Sequence, residues 1–176
     1  MIGKIILFIL FGALIVYVGT GTRVDILHTH TSSALSATAP DFLWQSIDGT
    51  VHTLEEFKGR PVVLHFWASW CKPCRTEFPA LIEAANQVGK QIVFLTISSD
   101  ETKKAAEQFI SAYKSKAPSN VYYAFDPKRT LTYDIFQTTA YPETILMDSI
   151  HHLRHKFSGA VDWNSDEAQN YLRQLQ

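Results

Sequence analysis

The segment Trp70-Cys71-Lys72-Pro73-Cys74 holds the only two cysteines of a 176-residue chain, with two residues between them. The run Val62-Val63-Leu64-His65-Phe66-Trp67 before it reads as a strand, and Arg75-Thr76-Glu77-Phe78 after it opens a helical pattern. A thiol at such a junction sits where unpaired N–H groups and the helix dipole favour negative charge. That lowers the thiol pKa and enriches the thiolate, which is the attacking species in disulfide exchange. A second thiol one helical turn further in is placed to close a disulfide or to resolve a mixed one. Other uses of the pair fit less well. A bridge around so short a loop removes little entropy from the unfolded chain, so a purely structural role is poorly motivated. A zinc site wants four ligands, and His28, His30, His151, His152 and His155 stand far from the cysteines in sequence. The chemistry indicated is a redox-active dithiol.

Strands and helices alternate on either side of that pair. Phe42–Ser46 and Thr50–Thr53 read as two strands joined at Asp48-Gly49, a hairpin turn signal. Leu54–Phe57 reads as a short helical turn. Pro61–Trp67 is a near-continuous apolar run, as expected of a strand covered on both faces. The helix that begins at the cysteines should run to about Val88 and stop at Gly89. Gln91–Ser98 predicts a second buried strand, Glu101–Lys114 a helix, Val121–Phe125 a strand and Lys128–Phe136 a helix. Glu143–Met147 and Leu153–Phe157 predict a hairpin pair, and Asn164 or Ser165 could cap a last helix to Leu175. The pattern describes a mixed α/β sheet with helices on both faces.

Sixteen basic against seventeen acidic residues give a net charge of −1, which argues against a nucleic-acid partner. Neither a Gly-rich phosphate loop nor an acidic metal loop occurs, so no cofactor or metal is expected. Hydrophobic residues make up 46% and charged residues 19%, ordinary values for a globular domain. Lys4 precedes an uncharged stretch from Ile5 to Thr22, apolar from Ile5 to Val18. This is an export signal by pattern, near the lower length limit for spanning a bilayer. Residues 1–22 are read as a membrane anchor or signal segment, with the uncleaved anchor preferred over cleavage at Gly19-Thr20-Gly21 or Ala37-Thr38-Ala39. Lys4 and the α-amino group would keep the N-terminus in the cytoplasm. Residues 23–38, rich in Thr, Ser, Ala and His, read as a linker, and 39–176 as the folded domain. The domain would face the extracytoplasmic side of the inner membrane, where an exposed dithiol is oxidised by default.

The domain resembles the thioredoxin fold, and within it the membrane-anchored TlpA/ResA/CcmG (DsbE) group of extracytoplasmic thiol–disulfide oxidoreductases. The resemblance rests on Ala39-Pro40-Asp41-Phe42, Asp48-Gly49, Leu54–Phe57 and Lys58-Gly59-Arg60-Pro61. It continues through Phe66–Pro79 around the cysteines, Phe125-Asp126-Pro127, and Tyr141–Asp148. It implies a mixed central sheet flanked by helices, with an N-terminal β-hairpin and a central strand-helix insertion at Gln91–Tyr113. It assigns Cys71 as the exposed attacking thiol and Cys74 as the buried resolving thiol. Glu77 matches an acidic residue thought to tune proton transfer, although a carboxylate in the first turns of a helix also serves its dipole. Pro142 matches a cis-proline facing the dithiol, which would place Tyr141 against substrate, and Trp70 reads as a substrate-facing wall. His65 stands where thioredoxins bury an Asp. It could exchange protons near neutral pH or be a hydrogen-bonded core histidine.

The resemblance also implies a reductant of protein disulfides, with apocytochrome c as the expected target and a membrane thiol transporter of the DsbD/CcdA kind as electron donor. A general envelope disulfide reductase or oxidase is the nearest alternative. A copper-binding protein would suit thiolates but lacks an evident third ligand, and a peroxidase would need a peroxidatic cysteine separate from the pair.

Overall fold

The computed structural model describes residues 37–176. The expected anchor and residues 23–36 of the expected linker lie outside the described residues. Among the described residues no helix is long and apolar enough to cross a membrane.

The sheet is built outward from β3 (Val62–Trp67), whose six residues are all buried. Its β-branched and aromatic side chains suit a pleated surface covered on both sides. β4 (Val93–Ser98) pairs parallel to it, and β6 (Glu143–Met147) pairs antiparallel on the other side. β5 (Val121–Phe125) and β7 (Leu153–Ser158) complete the sheet in the order β5-β4-β3-β6-β7. β1 (Leu43–Gln45) and β2 (Val51–Thr53) form a separate antiparallel hairpin. Gly49 turns it with φ at 100°, a conformation that a side chain would oppose. The hairpin docks on the edge strand β5, with the Ile47 N–H donating to the Tyr123 C=O at 2.8 Å. That contact covers an edge which would otherwise be open to foreign strands.

Alternation along β3 divides the core. Val63 and Trp67 face one cluster, with Cys74, Phe78, Leu81, Phe94 and Trp163. Val62, Leu64 and Phe66 face another, with Trp44, Leu54, Phe57, Ile145 and Met147. The first cluster is roofed by α1 (Lys72–Val88), α2 (Lys103–Ser111) and α3 (Asp166–Leu175). α1 ends at Gly89 as expected, and Ser165 caps α3 by accepting the Ala168 N–H.

Three expectations shift. The helix expected over Glu101–Lys114 contracts to α2, because the Thr102 side chain accepts the Ala105 N–H and sets the start. The helix expected over Lys128–Phe136 is a π-helical turn, Thr130–Ile135, entered through Arg129 at φ 59° and ψ 25°. Ala37 and Thr38, read as linker, pair with the sheet: the Leu153 N–H donates to the Ala37 C=O at 2.9 Å, and Thr38 bridges to His152.

Candidate active site

Strand β3 delivers the chain to the first turn of α1, and the cysteines sit at that junction. Cys71 is the N-cap and Cys74 is the third helical residue. They form a disulfide with Cα atoms 5.3 Å apart. The Cys74 N–H, one of the donors that a helix start leaves unpaired, points at Cys71 Sγ at 3.2 Å. Pro73 falls in the first turn, where no backbone N–H is required. Cys71 is 5% exposed and Cys74 fully buried. The first cysteine is therefore less open in the disulfide state than the resemblance implies, but only Cys71 lines a surface groove.

That groove encloses about 730 Å³ between Trp70-Cys71-Lys72-Pro73 and the loop Thr139-Ala140-Tyr141. Trp70 is 65% exposed and meets the Tyr141 ring edge to face at 5.8 Å. The Tyr141–Pro142 peptide is cis. Among the described residues, neither the N–H nor the C=O of Tyr141 has a backbone partner. Just beyond, the buried Glu143 carboxylate accepts from the Thr138 hydroxyl and pairs with Lys156 Nζ at 2.9 Å, tying this loop to β7.

The opposite lip is held by Asp100, just beyond the end of β4. Its buried carboxylate accepts the Ser69 N–H at 3.1 Å, the Ser69 hydroxyl at 2.7 Å and the Ser98 hydroxyl at 2.7 Å. Arg75 Nη1 donates to the Ser69 C=O at 3.3 Å. The residue two before Cys71 is thus gripped from both sides.

Glu77 lies one turn beyond Cys74, 5% exposed. Burial pushes its carboxyl up to about 7, opposed in part by the Trp163 indole, which donates to Oε1 at 2.7 Å. The Val161 backbone favours the ionised form as well, and among the described residues Oε2 has no partner at hydrogen-bond geometry. Glu77 also borders a second groove of about 570 Å³ with Lys72, Thr76, Ala80, Val161 and Asp162. A carboxyl raised to about 7 on the buried thiol's helix, bordering a surface cleft, can take up and release a proton near neutral pH.

His65 lies on the same face of β3 as Trp67, between Thr96 and Thr144 of the neighbouring strands. Its Nδ1 is 2.9 Å from Thr144 Oγ1. Complete burial pulls its pKa down to about 3. The imidazole is therefore neutral at pH 7 and is held as a hydrogen-bonded core group.

The structure brings Trp70, Cys71 and Tyr141 to one groove, with Pro142 adjoining it, and sets Cys74 and Glu77 behind it. Three contributors escaped sequence reasoning: Asp100, Trp163 and Arg129. The first two act across sequence separations of 31 and 86 residues, which no local pattern reveals. Arg129 follows Phe125-Asp126-Pro127, a block visible in the sequence but without a role there.

The AhpC/TSA family matches residues 35–156. The thioredoxin-like protein YneN of Bacillus subtilis is 29% identical over 113 residues, covering 62% of this chain and 63% of the relative. The thiol-disulfide oxidoreductase ResA of Geobacillus thermodenitrificans is 33% identical over 110 residues, covering 62% and 61%. The chain thus spans less than two thirds of the length of these two relatives. Among solved structures, a Chlorobium tepidum protein assigned as thiol:disulfide interchange protein DsbE superposes with a TM-score of 0.69. It is 26% identical, and the match covers 80% of this chain and 96% of that one.

Proposed function

Because the chain belongs to the AhpC/TSA family, we propose that its dithiol makes it an extracytoplasmic thiol–disulfide oxidoreductase that reduces protein disulfides. The observation that carries this reading is the asymmetry of the pair: Cys71 caps the helix and lines the groove, while Cys74 is sealed behind it.

In the reduced protein the Cys71 thiolate attacks one sulfur of a target disulfide. A new S–S bond forms, and the target's other sulfur leaves as a thiolate and takes a proton. Cys74, deprotonated, then attacks Cys71 Sγ. The target departs with both sulfurs reduced, and the protein keeps the Cys71–Cys74 disulfide. Two electrons and two protons pass to the target. Glu77, one turn along α1 from Cys74, takes the Cys74 proton in this reading, which the rise of its carboxyl to about 7 on burial supports. Trp70, Tyr141 and Pro142 present a wall to the incoming chain, and the open backbone of Tyr141 offers it strand-like hydrogen bonds.

Relatives carrying the names thiol-disulfide oxidoreductase ResA and thiol:disulfide interchange protein DsbE support the exchange chemistry. The uncharged run Ile5–Thr22 behind Lys4 supports a membrane anchor. The target we favour is the disulfide of apocytochrome c, with a thiol transporter of the DsbD/CcdA type as electron donor. Equilibration of the full chain with glutathione buffers tests the direction. A reductant should show a potential more negative than about −200 mV, whereas one near −120 mV would make the protein an oxidant. Protease treatment of spheroplasts tests the placement: the domain should be digested while its anchor stays with the membrane.

A further inference from the structure

The groove beside Cys71 carries a local charge that the chain as a whole does not. Its lining holds two cations, Lys72 and Arg129, and one carboxylate, Glu101. Among the described residues none of the three makes a salt bridge. Asp126, the acid nearest to Arg129 in sequence, is already engaged. Its oxygens accept the Thr130 N–H at 3.0 Å, the Thr132 N–H at 2.8 Å and the Thr132 hydroxyl at 2.8 Å. These bonds, with the Arg129 N–H donating to the Asp126 C=O at 3.0 Å, hold Arg129 in a left-handed conformation that few non-glycine residues adopt.

The outcome is a defined position for the guanidinium. It lies 5.9 Å from the Tyr141 ring centre and 5.7 Å from that of Tyr133. Tyr141 in turn meets Trp70. Trp70, Tyr141, Arg129 and Tyr133 therefore form a continuous strip, of which the first three line the groove, with a planar cation seated between two tyrosines. Such a group is preorganised for a carboxylate, which it can meet with paired N–H donors.

Resting on the oxidoreductase reading, we propose that this groove selects polypeptides bearing a carboxylate close to the target cysteine. Arg129 is the residue that reads it. Lys72, the first helical residue of α1, adds positive potential to the same groove. The strip's aromatic faces accept the flanking chain without reading its sequence.

The test uses the reduced full chain and three cyclic Cys-x-x-Cys peptides that differ only in carrying Asp, Asn or Lys beside the second cysteine. Each rate is divided by the rate at which dithiothreitol reduces the same peptide, which removes the charge's effect on the peptide's own reactivity. The Asp peptide should react roughly threefold to fivefold faster than the Asn peptide at low salt, the size of a partly exposed ion pair. The Lys peptide should be the slowest. The advantage should shrink in about 0.5 M salt and in Arg129→Asn, whose side chain tolerates the left-handed backbone. Arg129→Lys should keep part of it. Equal rates, a faster Lys peptide, or an Asp advantage untouched in Arg129→Asn would overturn the proposal and leave the oxidoreductase reading standing. Failure to reduce any of the three peptides would overturn that reading, and this inference with it.

Discussion

The indole N–H of Trp163 donates to Glu77 Oε1 at 2.7 Å, joining the segment before α3 to the helix that carries both cysteines. The bond favours the ionised carboxylate and so opposes the burial that pushes Glu77 up to about 7. Trp163→Phe removes the donor and keeps most of the buried ring. Glu77 should then titrate at a higher pH than in the parent protein, read by carbon NMR of the carboxyl. The pH profile of disulfide exchange should move the same way. Stability should fall by about 1–3 kcal/mol, the cost of an unpartnered buried oxygen. A Glu77 titration that does not move would separate Trp163 from the site.

Glu77 and His65 should give stability opposite dependences on pH. Glu77 rises in the folded protein from 4.5 to about 7. Its contribution is full below pH 4.5 and is lost as the pH climbs to about 7, because only the folded chain still binds that proton. His65 falls from 6.5 to about 3. Its contribution is full above pH 6.5 and is lost as the pH drops towards 3, because the unfolded chain takes up the proton first. Between pH 4.5 and 6.5 the two slopes oppose each other. Glu77→Gln should expose the His65 slope, so stability rises with pH by up to about 1.4 kcal/mol per unit. His65→Asn should expose the reverse. Denaturant titrations at several pH values read both, and parallel curves in all three proteins would contradict the assignment.

Asp100 should behave as a positioning residue for the active-site turn. Asp100→Ala leaves the Ser69 N–H, the Ser69 hydroxyl and the Ser98 hydroxyl without their shared acceptor. We expect a loss of about 2–4 kcal/mol in stability, since several donors lose one buried acceptor together. Exchange should slow even at temperatures where the variant is fully folded. Asp100→Asn, which keeps one oxygen acceptor, should recover part of the rate. Exchange at the parent rate in folded Asp100→Ala would remove Asp100 from the site.

What the sequence makes legible here is local. The apolar run at β3, the stop at Gly89 and the cap at Ser165 each express a rule that acts within one or two turns. The cysteines and Pro142 were legible through their motifs. The π-helical turn at Thr130–Ile135 was not. Its apolar spacing resembles an α-helix, but Asp126 captures the N–H groups of Thr130 and Thr132 and the Phe136 N–H donates five residues back to Leu131. His65 was legible as a hydrogen-bonded core histidine, and its burial between Thr96 and Thr144 is what the sequence did not display. Trp163 and Asp100 reach their partners only once the sheet has formed, so their roles belong to tertiary structure.

The central claim is that Cys71 attacks and Cys74 resolves. Its most direct measurement is trapping: each cysteine is replaced in turn in the full chain, and the reduced variant is mixed with a disulfide-bonded polypeptide. Cys74→Ala should accumulate a one-to-one mixed disulfide through Cys71, because nothing remains to release the target. Cys71→Ala should accumulate none, since Cys74 is fully buried. Trapping by Cys71→Ala in place of Cys74→Ala, or by neither, would contradict the account.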